Sequence, residues 1–348
     1  MLHVLLLIAC AVAIYLSCEW FVNAIEWLGV RLNVGNMAVG TILAAAGTAL
    51  PESVVTLMAV LYGSEAHGND IAVGAAMGGP LVVGTIAYAV TGGMLILRHR
   101  RKTAMAVASG AYSTMRSPAG ELRETDGIDT RRLARDQVWF LCIFALKVAL
   151  GLVAFAIKPW LGLVFLAVYG VYFYKEMSGD SDDATSVGLD RLKLQPRRAN
   201  PGSLAIAVQT VGSLVVIFGA SQIFVKQLEW AGPALGLPSV VVALLISPIA
   251  TELPEIMNAI IWVRQGKANL ALANISGAMM IQATVPSAIG IGFTPWKFDA
   301  PLVLAGVATL LSISYLLWIT KRRTFTASRL LYAGGFYLAF AVGLVLVV

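Results

Sequence analysis

"GTALPES", residues 47–53, lies inside one of the most apolar stretches of the chain. It sets a proline beside a glutamate where a membrane helix needs neither. Proline has no amide proton and crowds the carbonyl four residues back. A carboxylate in hydrocarbon is costly, and one found there marks a functional site by default. The surroundings that would tolerate both Pro51 and Glu52 decide what kind of protein this is.

Those surroundings are a membrane. The 348 residues are 58% hydrophobic and 13% charged, against about a quarter charged in a soluble domain. Mean hydropathy is +0.80. Apolar runs of ~20 residues, enough to cross a bilayer as helices, recur along the chain. A β-barrel would need short alternating segments instead. The first run, from Leu2 to about Val30, has neither a basic leader nor a small-residue cleavage site, and reads as a retained helix. Cys10, Cys18 and Cys142 fall in apolar helices and read as small buried hydrophobes, without a disulfide or metal-site spacing.

Ten spans are expected, at 2–30, 35–62, 70–97, 136–157, 159–174, 202–230, 237–263, 269–293, 300–320 and 327–347. The connectors then alternate sides. Of the 25 Lys and Arg residues, 21 fall on one side, with only Lys158 and Lys297 opposite and Lys147 and Lys226 inside spans. The positive-inside rule places the rich side in the cytoplasm of a multi-pass cell-membrane protein, with both termini outside. The basic residues serve topology and lipid headgroups, which excludes nucleic acid as a partner. The run Arg98-His99-Arg100-Arg101-Lys102 is expected at a helix end, followed by a flexible loop to residue 135. Connector 175–200, with "SGDSDDATSVGLD", reads as a solvated cytoplasmic linker between a first repeat, 1–174, and a second, 201–348.

The halves are related. "FVNAIEWLGV" at 21–30 faces "FVKQLEWAGP" at 224–233, an offset of 203, and "GTALPES" faces "ATELPEI" at 250–256 at that offset without a gap. Five spans per copy force the second copy to enter the membrane from the opposite side. The fold class is therefore an all-α polytopic membrane protein of ten transmembrane helices arranged as an inverted 5+5 repeat. In secondary transporters built this way, broken helices hold the site between the copies.

Pro51 would release the carbonyl of Gly47, and Pro254 that of Ala250. Freed backbone at membrane depth is tolerated where a cavity, water or ion satisfies it. Thr48 and Glu52, four residues apart, share a helix face, as do Thr251 and Glu255. Two such sets face to face offer carboxylates, hydroxyls and carbonyls, an all-oxygen site suited to a hard divalent cation. No Cys or His falls near either segment, against zinc or copper. Glu26 and Glu229, with Trp27 and Trp230 after them, read as interfacial anchors. Gln282 and Asn258 read equally well as pathway lining or helix bridges, and Glu19 as facing a vestibule.

On these motifs the chain resembles the sodium/calcium exchanger family of cation/Ca²⁺ antiporters, over nearly its whole length. The family's repeat motif has the form G-T-S-x-P-E. Its second element, near G-N-x-x-G-S-N, appears here as "GAAMGGP" at 74–80 and "ANISGAM" at 273–279. The resemblance implies alternating access, with Ca²⁺ and a counter-ion competing for one cluster. It makes Glu52 and Glu255 the shared carboxylates, Thr48 and Thr251 oxygen donors, and Asn274 a side-chain ligand. Transported Ca²⁺ and Na⁺ or H⁺ are then the ligands, and no resident cofactor is implied.

The departures from the family pattern are specific. Its Ser is Ala49 in the first half and Glu252 in the second, its first Asn is Ala75, and Gly79-Pro80 replaces Ser-Asn. Lost oxygens weaken the expectation of Na⁺ coupling. Glu252 adds a third carboxylate, which would bring proton coupling, unless it lies off the pathway or pairs with Lys226. Pro248 would free the carbonyl of Leu244. The alternatives are a passive cation channel, a degenerate non-transporting homologue, or an intramembrane enzyme, for which the sequence has neither G-x-S-x-G nor H-E-x-x-H.

Overall fold

The computed structural model describes residues 2–35, 38–62, 68–108, 127–153, 157–178, 189–234, 245 and 247–347. Among them there is no strand, and ten helical spans follow the expected order. α1 is Leu2–Leu32; α2 opens with a π-helical stretch, Val39–Ala44, and continues as Ala45–Tyr62. α3 runs Gly68–Val82, through a second π-helical stretch at Val83–Ala87, to Tyr88–Ala108. α4 is Thr130–Leu152 and α5 is Gly162–Met177, entered by the 3₁₀ turn Lys158–Leu161. α6 is Ser203–Ala234; α7 is split into Ser247–Thr251 and Leu253–Gln265; α8 is Ala268–Phe293 and α9 is Ala300–Lys321. α10 is split into Ala327–Leu331 and Ala333–Val347.

Six of these, α1, α3, α6, α8, α9 and α10, are long and apolar enough to cross a membrane on length and composition alone. Others fall short for identifiable reasons. α5 has 16 residues, and α7 is broken. α4 begins with Arg131, Arg132, Arg135 and Asp136 and carries Lys147 further on.

Local sequence sets the ends. Asp129 caps α4 by accepting from the amides of Arg131 and Arg132, both at 3.1 Å. Asp299 caps α9 through Leu302 N at 3.0 Å. Gly266 ends α7 in the left-handed conformation, φ 91°.

The inversion is visible in one helix pair. α1 and α6 are counterparts in the repeat, and they pack antiparallel. Gln209, early in α6, donates to Asn23 Oδ1 late in α1 at 3.0 Å, while His3 at the start of α1 meets Gln227 late in α6 at 2.7 Å. The other contacts are exchanged by the same symmetry: α2 packs on α8 and α7 on α3, α3 on α10 and α8 on α5. α8 is the centre of the bundle, buried over most of its length, whereas α1, α5, α6 and α10 present exposed apolar side chains such as Leu5, Leu163, Val215 and Leu346 outward. In water such a belt would be an interaction liability; in a bilayer it is the lipid-facing surface.

The basic-rich connectors gather at one end. Lys267 contacts Glu26 at 2.5 Å, Arg31 donates to Pro201 O at 2.5 Å, and Asn269 meets Asp129 N at 2.9 Å. At the other end, Lys158 Nζ is held by the carbonyls of Leu150, Val153, Pro295 and Trp296 at 2.7–3.4 Å.

Several expectations change. The basic run 98–102 lies inside α3, which continues to Ala108, and α4 begins at Thr130; of the expected loop, 109–126 lie outside the described residues. Connector 175–200 is not simply solvated. Residues 179–188 are outside the described set, but Leu192 is fully buried against α1 and α6. Asn23 and Gln209 bond the backbone of residues 190, 191, 193 and 194 there. Cys10 and Cys18 are buried as expected, but Cys142 is exposed on the outer face of α4. Trp27 is no lipid anchor: it is buried and donates to Asp190 O at 2.9 Å.

α2 crosses α8 at backbone contact. A Cβ on Gly277 would lie 2.0 Å from Thr41 O, so only glycine permits the approach. Gly277→Ala is expected to cost ~1–3 kcal/mol of stability. Gly74→Ala, where a Cβ meets nothing within 4 Å, should be neutral or stabilising. Thermal melting of the detergent-solubilised variants checks the difference.

Candidate cation site

α7 breaks at Glu252. Ser247–Thr251 forms one short helix, Glu252 takes φ −87°, ψ 4°, and the helix resumes at Leu253 with Pro254 in its first turn. Pro254 has no amide proton to give to the carbonyl of Ala250. The matching segment of the first half behaves differently, because α2 runs through position 51 without a break. Its irregularity lies earlier, in the π-helical stretch Val39–Ala44, a feature common at functional sites.

Of the expected site residues, Thr48 of α2 and Glu252 and Glu255 of α7 come together. Thr48 is buried, donates to Ala44 O at 3.1 Å, and its hydroxyl lies against Glu255. Glu255 is fully buried, with neither carboxylate oxygen bonded. Asn258, one turn on along α7, and Asn274 on α8 are also fully buried, and neither amide has a partner. Thr251 is half-buried and turns back to Pro248 O at 3.1 Å. Gly47 lets Phe21 of α1 pack on α2: a Cβ there would meet the ring at 2.7 Å. The side chains of Glu52 and Ala250 lie outside the described residues, as do Leu244 and the side chains of Lys226 and Glu229.

Glu252 belongs to this cluster. It is fully buried beside Glu255, and accepts from Gln282 Nε2 of α8 at 2.6 Å, while its Oε1 has no partner. The space it occupies is made by α3, since a Cβ on Gly79 would lie 2.7 Å from Glu252 Oε1 and 3.1 Å from Gln282. The added carboxylate at 252 and the missing side chain at 79 are one steric exchange. Pro248 packs across Gly78, where a Cβ would meet its ring at 2.7 Å.

Among the described residues no three His, Cys, Asp or Glu side chains cluster. Two carboxylates do, with amide and hydroxyl oxygens around them. Unbonded buried carboxylate and amide oxygens are expensive, and the donor set, all oxygen, suits a hard cation.

Other polar residues separate from this group. Glu26 accepts from Trp262 Nε1 at 2.8 Å and joins α1 to the α7–α8 corner, whereas Trp230, the partner of Trp27 in the repeat, is exposed and stacks on His3 at 3.6 Å. Glu19 does face a cavity, of about 420 Å³, where Tyr15, Arg98, Arg101 and Arg264 surround it. Asn258 and Gln282 join the site; their spacing of three from Glu255 and their place on α8 were the available signals.

Comparison with known proteins fits this arrangement. The family model described as sodium/calcium exchanger protein matches residues 2–175 and 205–348. The chain belongs to the sodium/calcium exchanger family. The family is one of ion exchangers, not of enzymes. The inner membrane protein YrbG of Escherichia coli is 24% identical over 331 residues, covering 91% of this chain and 88% of that one. The uncharacterized membrane protein MJ0091 of Methanocaldococcus jannaschii is 21% identical over 304 residues, covering 87% and 85%. Structures of the sodium-calcium exchanger NCX_Mj share the fold. That soaked with 2.5 mM Na⁺ and 0.1 mM Sr²⁺ superposes with a TM-score of 0.71 at 17% identity, over 97% of both chains. That with zero Na⁺ and Ca²⁺ gives 0.70, over 99% of both.

The steric exchange is measurable by a double-mutant cycle. Gly79→Ala alone is expected to lower the melting temperature. In a Glu252→Ala background it should cost little, a coupling of ~0.5–3 kcal/mol.

Proposed function

We propose that the chain is a secondary antiporter that exchanges Ca²⁺, or a similar divalent cation, for protons by alternating access. The observation that carries this is the pair of buried carboxylates, Glu252 and Glu255, with three unbonded oxygens between them and unpartnered Asn258 and Asn274 alongside. Glu255, Glu52, Thr48 and Asn274 bind the divalent ion. Thr251 and the carbonyls of Gly47 and Ala250 supply further oxygens. No resident cofactor takes part; the ions are cargo.

Glu252 favours H⁺ over Na⁺ as the counter-ion. The family's small polar side chains are replaced by Ala49, Ala75 and Gly79-Pro80, while a carboxylate, which binds protons, has been added within the cluster. Protonation of these carboxylates and occupation by the divalent ion are mutually exclusive, which couples the two fluxes. The repeats, 1–174 and 201–348, rock about the cluster, with 175–200 as the linker between them. Only differential binding to the two states shifts such an equilibrium. By the positive-inside rule the basic end faces the cytoplasm, and both termini lie outside the cell membrane.

Reconstituted in liposomes, the protein should take up Ca²⁺ when an outward H⁺ gradient is imposed. Glu255→Gln and Glu52→Gln should abolish uptake, and Glu252→Gln should remove its dependence on the pH gradient. Uptake driven by Na⁺ alone would contradict the choice of counter-ion. Uptake with no gradient on either side would indicate a channel.

A further inference from the structure

Lys147, on α4, has no exposed surface and, among the described residues, no carboxylate within ion-pair distance. Its ammonium donates to Ala76 O of α3 at 2.8 Å and to Ser287 Oγ of α8 at 3.1 Å, and lies 4.7 Å from the centroid of the Phe144 ring. Both acceptors trace to prolines. Pro80, inside α3, cannot bond the carbonyl four residues back, which is that of Ala76. Pro286, inside α8, releases the carbonyl of Gln282 in the same way, and Ser287 Oγ turns toward it at 3.5 Å. The side chain of Gln282 in turn holds Glu252 at 2.6 Å.

A carbonyl released inside a membrane protein must be met by a donor or a cation. In an ion transporter it is a natural ligand for the cargo. Here an ammonium, a compact charge with three donors, fills that role on the α3–α8 side of the cluster. Burying a lone ammonium costs several kcal/mol; the carbonyl of Ala76, Ser287 Oγ and the Phe144 ring meet it directly, and Ser287 and Gln282 link it to Glu252. Three carboxylates, Glu52, Glu252 and Glu255, against one ammonium leave two formal negative charges, which one divalent cation neutralises.

We propose that Lys147 is a resident cation, its ammonium permanently filling the α3–α8 lobe of the ion-binding region in place of a transported monovalent ion. The inference rests on the reading of the α7–α8 cluster as a cation site. It gives a common cause to the departures on α3. Ala75 and Gly79-Pro80 have lost side-chain oxygens where no mobile ion binds, and Pro80 supplies the carbonyl that anchors the lysine.

The test uses purified full-length protein, melted in choline chloride and in NaCl, with Ca²⁺ binding measured in parallel. The wild type should bind Ca²⁺ and show no Na⁺-dependent rise in Tm. Lys147→Met should open the lobe, so that NaCl raises its Tm saturably, by about 2 °C or more, and ammonium or methylammonium does the same. Lys147→Arg, which keeps the charge, should fold and show no such response. If Lys147→Met folds only when Na⁺ or ammonium is present, the proposal is supported. If it gains no response to any small cation, or stays unfolded in all of them while Lys147→Arg folds, the proposal is overturned. A wild type that responds to Na⁺ as strongly as Lys147→Met overturns it too. Failure of the wild type to bind Ca²⁺ would instead remove the reading of the cluster.

Discussion

Polar groups inside a membrane protein have no bulk water to fall back on, and each one left unmet costs several kcal/mol. In this bundle the requirement is concentrated on one short segment, where α7 breaks at Glu252 and Glu255 follows a turn later. Much of the surrounding structure serves that segment. α8 supplies Gln282 and Asn274 from its buried centre, α3 gives up a side chain at Gly79, and α2 brings Thr48 against Glu255. The close α2–α8 crossing at Gly277 and Thr41 brings two elements of the cluster within reach of each other.

The two halves share a plan and have diverged within it. The second half has the helix break, the added carboxylate and the unpartnered amides. The first half keeps α2 continuous, adds π-helical stretches to α2 and α3, and fills its freed carbonyl at Ala76 with Lys147. Glu26 and Trp27 have become internal struts, tying α1 to Trp262, Lys267 and the 190s connector, while Trp230 lies on the surface.

The fold was legible in the sequence because its determinants are long-range averages. Apolar runs gave the spans, the distribution of Lys and Arg gave their alternation, and an ungapped offset of 203 between two motifs gave the inversion. Glu255, Thr48 and Asn274 were legible because a carboxylate, a hydroxyl and an amide in an apolar run have few other uses. What could not be read was which side chain meets which. Nothing in the order of residues says that Gly79 makes room for Glu252, that Gln282 bonds it, or that the lysine in α4 reaches a carbonyl released by Pro80. Connectors failed for a related reason: their polarity resembles that of solvated loops, yet 98–108 continues a helix and 189–202 docks on α1 and α6 through Asn23 and Gln209.

The central claim is that buried oxygens on α2, α7 and α8 converge on one divalent ion. Crystals of the protein soaked in Sr²⁺, with anomalous diffraction recorded, test it most directly. The account predicts a single Sr²⁺ peak within ligand distance of Glu255 and Glu52, with Thr48 and Asn274 around it and no peak beside Lys147. A peak elsewhere in the bundle, or none at millimolar Sr²⁺ while the protein remains ordered, would contradict it.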